Sequence, residues 1–152
     1  MAKVTVTANK ETGSVVARIS RIREAANLLI EQELQARRIS GVVPAHGAVL
    51  QFLFRQQGAV PIKSLVEQSG RVKSTVTGIV NTLERNGYLC KQECALDARS
   101  TRIALTEKGR ALQKDFEEIS EKLLSRVYGD MPQSERERLA ELLSQVEANL
   151  LG

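Results

Sequence analysis

The chain has 152 residues, of which 42% are hydrophobic and only 3% are aromatic, and its formal net charge is +4. This length supplies one ordinary hydrophobic core rather than two, and a core with so few aromatic residues favours packed helices over an all-β sandwich. No apolar stretch approaches the roughly 20 residues that span a membrane, and the first ten residues lack the apolar centre of a signal peptide. We therefore expect a cytoplasmic protein that does not enter a membrane.

Positive charge is concentrated in the middle of the chain. Residues 44–110 carry a net charge of +5, against +3 for residues 1–43 and −4 for residues 111–152. Lysine and arginine gathered in one part of a small protein indicate a polyanionic partner. We therefore expect the middle segment to face phosphate groups, and the acidic end to face water or a protein.

The first half of the chain predicts three helices. Apolar residues at steps of three and four predict a long amphipathic helix over residues 14–38. A second, more apolar helix is predicted from residue 48 to near residue 58, after breakers that include Pro44. A short third helix follows in the segment IKSLVEQS, and Gly70 closes it because glycine readily adopts the positive φ of a helix end.

A fourth helix with two unlike faces is predicted over residues 72–85. Its apolar face carries Val72, Val76, Ile79, Val80 and Leu83. The opposite face is small, polar and basic, with Ser74, Thr77, Gly78, Asn81 and Arg85. Gly87 ends this helix, and the segment YLCKQECALDARSTRIALT then predicts a β-hairpin around a polar centre at residues 97–100.

Two further helices complete the predicted order. Thr106 is a suitable N-cap for a helix whose apolar residues recur regularly as far as GDMP. Ser134 with Glu137 has the spacing of a capping box, which predicts the start of the last helix. The first and last helices carry apolar seams that would leave a large patch in water unless they were paired. Both ends of the chain therefore predict dimerisation surfaces.

Two short helices joined by a tight glycine turn and followed by a basic hairpin are typical of a winged helix-turn-helix. The predicted fold class is mainly α with a small β-hairpin wing, flanked by N- and C-terminal dimerisation helices. The predicted parts are an N-terminal dimerisation helix over residues 1–43, a DNA-binding lobe over 44–110 and C-terminal dimerisation helices over 111–152. Small polar side chains on the fourth helix would let its backbone approach base edges in the major groove of double-stranded DNA.

The chain resembles the MarR family of transcriptional regulators. The resemblance rests on VKSTVTGIVNTLERNGYL, on DARSTRIALTEKG and on the long flanking helices. It implies a homodimer whose recognition helices enter successive major grooves while the wings cover the adjacent minor grooves. It also implies that Arg99 enters the minor groove and that Asp97 shapes the wing tip. A narrow minor groove concentrates negative potential, which favours an arginine there.

The predicted DNA contacts fall into two groups. Base-reading contacts in or beside the major groove are predicted for Ser74, Thr75, Thr77, Asn81 and Arg85. Phosphate contacts are predicted for Arg71, Lys73 and Arg102. Gly78, Cys90 and Lys91 depart from the residues that are usual in similar proteins. These departures bear on base preference.

The function predicted from these features is that of a sequence-specific repressor. The homodimer would occupy an inverted-repeat operator, and its two-fold symmetry would match that of the DNA. The family resemblance implies that a small-molecule effector modulates binding from a pocket between the DNA-binding lobe and the dimerisation helices.

Alternative functions rest on weaker features. Cys90 and Cys94 raise the alternative of a regulator that senses thiol oxidation, although small apolar strand residues explain them as well. A non-regulatory DNA-binding protein or a helical adaptor is a further alternative. The single histidine, His46, is assigned no role, and the sequence lacks phosphate-binding and dinucleotide motifs. We expect no enzyme activity, no metal and no cofactor.

Overall fold

The computed structural model describes residues 10–94 and 97–152, and leaves the side chains of residues 93–100 outside the description. The chain forms two compact units, one up to Ile119 and one from Ser120 onward. No helix in the described part is long and apolar enough to cross a bilayer.

The elements follow the predicted order, and the fold class is confirmed. The helices are α1 (Val15–Ala36), α2 (Gly47–Phe54), α3 (Ile62–Ser69), α4 (Lys73–Arg85), α5 (Glu107–Tyr128) and α6 (Gln133–Leu151). The strands are β1 (Val60–Pro61), β2 (Leu89–Cys94) and β3 (Asp97–Leu105), and a short 3₁₀ turn covers Pro44–His46.

The sheet has one strand more than the sequence predicts. β3 lies between β1 and β2, and both neighbours are antiparallel to it. Val60 pairs with Ile103, and Pro61 pairs with Arg102. A two-residue strand shows no alternation of apolar and polar residues, so it exists only because the wing comes alongside it.

The hairpin also differs from its prediction. Residues 97–100, predicted to be its polar centre, belong to β3 in the structure. Lys91 pairs with Ile103 in regular register, but Cys94 pairs with Asp97 after a break next to Glu93. Such irregularities bend a strand and change where its side chains point.

The core of the first unit is aliphatic. Leu50, Leu53 and Leu65 from α2 and α3 are at most 1% exposed, and Ile103 of β3 is fully buried. The apolar face of α4 supplies four of the buried residues: Val76, Ile79, Val80 and Leu83. Packing of this face therefore holds a helix whose β-branched residues lower its intrinsic stability.

The junction between the wing and α5 depends on Gly109. A Cβ at this position would lie 2.1 Å from the carbonyl oxygen of Tyr88, so only glycine fits. Thr106 is the N-cap of α5, as predicted, because its Oγ1 accepts a hydrogen bond of 3.1 Å from the amide of Gly109. The two features together set the direction in which α5 leaves the sheet.

One arginine ties the end of α1 to α5. Arg37 Nη1 donates hydrogen bonds to Asp115 at 3.0 Å and to Glu118 at 2.5 Å, and Glu33 lies 3.6 Å from Nη2. The bond to Glu118, followed by that to Asp115, raises the pKa of Arg37 further above its ordinary value. All four residues belong to the first unit.

The second unit contains the end of α5 and the whole of α6. The predicted capping box at the start of α6 is wrong, because Pro132 occupies the N-cap and no side chain caps the helix. Ser134 therefore lies inside the first turn. Throughout the described length of α6 no residue is buried, and Leu142, Leu143 and Leu150 are 42%, 46% and 78% exposed.

Candidate nucleic-acid interface

The turn between α3 and α4 determines which face of α4 reaches the surface. Gly70 ends α3 in the left-handed conformation, with φ of 63°, and Val72 in extended conformation begins α4. The positive φ of Gly70 and the extended backbone of Val72 are both typical of a tight turn between two short helices. Since Val76 and Val80 are buried completely, the opposite face of α4 faces solvent.

The structure gives most of the predicted contact residues a surface position. Seven of them are exposed: Arg71, Lys73, Ser74, Thr75, Asn81, Arg85 and Arg102. Thr77 is half-buried. Asp97 and Arg99 lie on β3, where the backbone is described but their side chains lie outside the description. The DNA contacts of all these residues stay predictions.

Gly78 leaves an opening on the exposed face of α4. A Cβ built at this position has no neighbouring atom within 4 Å in the described part of the protein. Packing against the described residues therefore does not require glycine at this position. The absence of a side chain does allow another molecule to approach the helix backbone closely.

Lys91 of β2 reaches across to α4, a contact that the sequence analysis missed. Its Nζ donates a hydrogen bond of 2.6 Å to Oδ1 of Asn81 and lies 3.6 Å from Oε1 of Glu84. The available signal was indirect: only three residues separate α4 from β2, so the start of the wing must run close to the end of α4.

A cleft of about 850 Å³ opens between α3, α4 and the sheet. Its lining residues are Pro61, Ile62, Lys63, Val66, Lys73, Thr77, Lys91 and Thr101. Three lysines on one cleft, with no acidic residue among the described side chains that line it, make it attractive to anions. Lys63 was not among the predicted contacts. It lies on the first turn of α3, the helix that crosses the DNA backbone in related motifs.

Arg102 has a structural contact as well as an exposed position. Its Nη1 donates a hydrogen bond of 3.4 Å to the carbonyl oxygen of Ala59, just before β1. Arg102 pairs with Pro61 in the sheet. Its guanidinium therefore lies beside β1, where its charge supports the predicted phosphate contact.

The structure gives His46 and Cys90 contacts within the protein. His46 is 7% exposed, its Nδ1 accepts a hydrogen bond of 3.2 Å from the amide of Val43, and burial lowers its pKa. Cys90 is half-buried, with its Sγ 3.7 Å from the carbonyl oxygen of Ala104, and the side chain of Cys94 lies outside the description. The thiol-sensing alternative stays a prediction. The described residues contain no cluster of side chains suited to a metal ion.

Comparison with known proteins agrees with this architecture. The model of the MarR family matches residues 48–101. A MarR transcriptional regulator from Methanosarcina mazei Go1 is 23% identical over 90% of this chain and 96% of its own, with a TM-score of 0.72. S. aureus MepR, solved in a complex with DNA, is 20% identical over 89% of this chain and 97% of its own, with a TM-score of 0.78.

A further similar structure is that of Bordetella bronchiseptica BpsR, a protein whose DNA binding is regulated by 6-hydroxynicotinic acid. It is 22% identical over 88% of this chain and 92% of its own, with a TM-score of 0.72. At these identities the three likenesses show the fold, while the family match covers α2 to the first half of β3.

Proposed function

We propose that this chain, whose residues 48–101 match the model of the MarR family, is a winged helix-turn-helix regulator of that family: a homodimeric repressor of the cytoplasm that binds an inverted-repeat operator in double-stranded DNA. The observation that carries this proposal is the exposed face of α4. Ser74, Thr75 and Arg85 are exposed there, around the open position at Gly78. A helix with such a face fits the major groove and brings short polar side chains to base edges.

The cations around α4 support a phosphate-binding role for its flanks. Lys73 begins α4, and Lys63 lines the same cleft from α3. Phosphate contacts of this kind supply most of the affinity for DNA and fix the register of the protein on it. The solved complex of MepR with DNA supports the same use of the fold in this chain.

Exposed apolar side chains support the homodimer. On α1, Val16 is 71% exposed and Ile22 is 56% exposed, and on α6 Leu150 is 78% exposed. Proteins in solution bury large apolar patches against a partner. A second copy of the chain would cover these side chains with two-fold symmetry. Two recognition helices related by that symmetry would read half-sites about one helical turn apart.

The proposal includes a small-molecule effector. The regulation of BpsR by 6-hydroxynicotinic acid supports this element. An effector shifts DNA binding only if its affinities for the DNA-bound and the free arrangements differ. Titrating 6-hydroxynicotinic acid and related aromatic carboxylates into the protein–DNA complex tests it. If none of these compounds releases the DNA, the effector is not an aromatic carboxylate.

Selection of DNA from a random pool, followed by fluorescence anisotropy near 150 mM salt with excess competitor DNA, tests the main proposal. We expect an enriched inverted repeat that wild-type protein binds tightly. Arg85→Ala should weaken binding to it about tenfold, as expected for a lost base contact worth ~1 to 3 kcal/mol. Arg99→Ala should weaken it as well, if the wing enters a narrow minor groove.

Lys114→Ala is the matched control, because it also removes one positive charge, from an α5 side chain that is 87% exposed. It should leave affinity nearly unchanged. Failure of the wild-type protein to enrich any sequence would contradict sequence-specific regulation and favour an architectural or adaptor role. Equal losses for Arg85→Ala and Lys114→Ala would mean that α4 does not read the operator.

A further inference from the structure

Lys91 and Asn81 form a contact that joins the wing to the recognition helix. The Nζ of Lys91 lies 2.6 Å from Oδ1 of Asn81 and 3.6 Å from Oε1 of Glu84. Asn81 and Glu84 are one helical turn apart on α4, and the side chains of Lys91 and Glu84 are 36% and 38% exposed. The ammonium group is therefore held against α4 at two points, at the edge of the exposed face.

The chemistry of the two groups determines how the Asn81 amide is turned. An ammonium group has three hydrogen-bond donors and no acceptor, whereas an asparagine amide has one acceptor oxygen and one donor nitrogen. Asn81 must therefore direct Oδ1 toward Lys91, because the reversed amide would bring donors against donors. Its NH₂ group consequently points away from Lys91 and is available to another molecule.

Base pairs differ in what they offer to such a donor in the major groove. Guanine presents two acceptors, N7 and O6, whereas cytosine presents the N4 donor. Adenine presents N7 beside the N6 donor, and the bidentate asparagine–adenine contact requires both the oxygen and the nitrogen of the amide. Lys91 fills one of the two lone-pair sites of Oδ1 and holds that oxygen toward the wing. A contact that needs the oxygen and the nitrogen side by side at one adenine edge is therefore disfavoured.

We propose that Lys91 is a positioning residue that sets base preference through Asn81: it turns the amide into a hydrogen-bond donor toward the major groove, and so favours guanine over adenine and cytosine at one position of each half-site. This inference rests on the proposed function, because it requires that α4 reads DNA. It adds a determinant of specificity that lies on the wing rather than on the recognition helix.

A direct contact between Lys91 and a DNA phosphate is the competing role, and it has a different signature. Losing a phosphate contact weakens binding about equally on all sequences and reduces the slope of log affinity against log salt by about 1. Losing a positioning contact changes preference at one base position. It leaves the other positions and the salt slope nearly unchanged.

The experiment compares selected DNA and single-position variants of it for five proteins: wild type, Lys91→Met, Lys91→Arg, Asn81→Ala and the double variant Lys91→Met with Asn81→Ala. Wild type should prefer guanine by about tenfold at one position in each half-site. Lys91→Met should lose most of this preference, with adenine gaining most. Lys91→Arg should retain it, since a guanidinium is also a pure donor. In the Asn81→Ala background, Lys91→Met should change base preference no further.

Lys63→Met is the matched control, because it removes a lysine of the same cleft that lies on α3, whereas the oxygen of Asn81 bonds to Lys91. It should lower affinity evenly at every base position. Thermal unfolding of each variant, together with the conservative Lys91→Arg, separates a change in base preference from a loss of folding. The readout is a preference among bases measured on one folded sample, which a general loss of stability does not alter.

Four results would overturn the inference. Lys91→Met could behave as Lys63→Met does, with an even loss and a smaller salt slope, and Lys91 would then be a phosphate ligand. Lys91→Met could leave base preference unchanged, or alter it equally with and without Asn81. If wild type enriched no sequence at all, the proposed function would fail and this inference with it, a result visible before any variant is made.

Discussion

The winged helix-turn-helix lobe and the last helix carry similar aliphatic residues but bury them to very different extents. Leu50 and Leu53 of α2 are at most 1% exposed, whereas Leu142 and Leu143 of α6 are 42% and 46% exposed. The lobe therefore contains a core that one chain completes. Leu142 and Leu143 are only partly covered in the single chain, so their full burial requires a partner surface.

This contrast separates two sources of stability. In the lobe, stability comes from intramolecular packing and should not depend on protein concentration. In α6, it should come from association, which makes apparent stability depend on concentration. The first two predictions below test this difference directly and the last two sharpen the description of the lobe, from the largest expected effect to the smallest.

The largest effect is expected in the core of the lobe. Leu50→Ala removes a side chain that is 0% exposed, so both the burial of its methyl groups and the packing around them are lost. The free energy of unfolding should fall by about 2–5 kcal/mol. Urea denaturation at fixed concentration measures it. The same truncation at Leu142, measured under dilute monomeric conditions, should cost much less. Equal losses of unfolding free energy at the two sites would mean that α6 and the lobe are stabilised in the same way.

The second prediction concerns the surface of α6. Leu142→Glu should convert the dimer to monomer at micromolar concentration, because a carboxylate buried in an apolar interface without a partner is strongly unfavourable. Sedimentation velocity or light scattering over a range of concentrations measures the mass. Ser144→Glu is the matched control on the same exposed helix, about opposite Leu142 around its axis. A dimer that survives Leu142→Glu would place the subunit interface elsewhere.

The third prediction uses the buried histidine of the lobe. Burial lowers the pKa of His46, whose ordinary value is 6.5. Below about pH 6.5 the unfolded chain therefore binds a proton that the folded protein resists, so the free energy of unfolding falls as pH decreases through that range. His46→Asn removes this titration, and its unfolding free energy should fall less between pH 7 and pH 5. Parallel pH profiles would show that His46 remains equally protonated in both states.

The smallest effect is expected on the exposed face of α4. Gly78→Ala places a methyl group in open space inside a helix, and should raise the free energy of unfolding by about 0.5–1 kcal/mol. The same methyl group should weaken DNA binding if the backbone approaches the major groove closely. Gly129→Ala is the contrasting control, since its φ of 50° makes alanine strained despite equally open space. If Gly78→Ala raises stability and leaves operator affinity unchanged, the backbone of α4 at Gly78 does not lie close to the DNA.

Much of the candidate site could be predicted because it depends on local periodicity. The spacing of Val76, Val80 and Leu83 at steps of four and three residues identified the buried face of α4, and therefore also the exposed face. Lys91 could not be assigned in the same way. Its contact with Asn81 joins residues on a strand and a helix, and depends on the angle between them.

The same reason explains the errors at the ends of elements. Ser134 and Glu137 have the spacing of a capping box, but the N-cap of α6 is Pro132, so the pattern falls two residues too late. The polar run from Asp97 suggested a turn, yet pairing with β2 holds it in β3. Local sequence preferences are weak at such boundaries and yield to tertiary packing.

By itself the sequence determined the number, order and approximate limits of the helices, the face of α4 that is buried and the position of the wing, because periodicity and glycine positions act over a few residues. Only the tertiary structure decided that Val60 and Pro61 form a strand, that Arg37 joins α1 to α5, and that Lys91 holds Asn81. Each of these contacts links residues distant in the chain or on different elements. Its existence therefore depends on how whole elements pack, which no local pattern specifies.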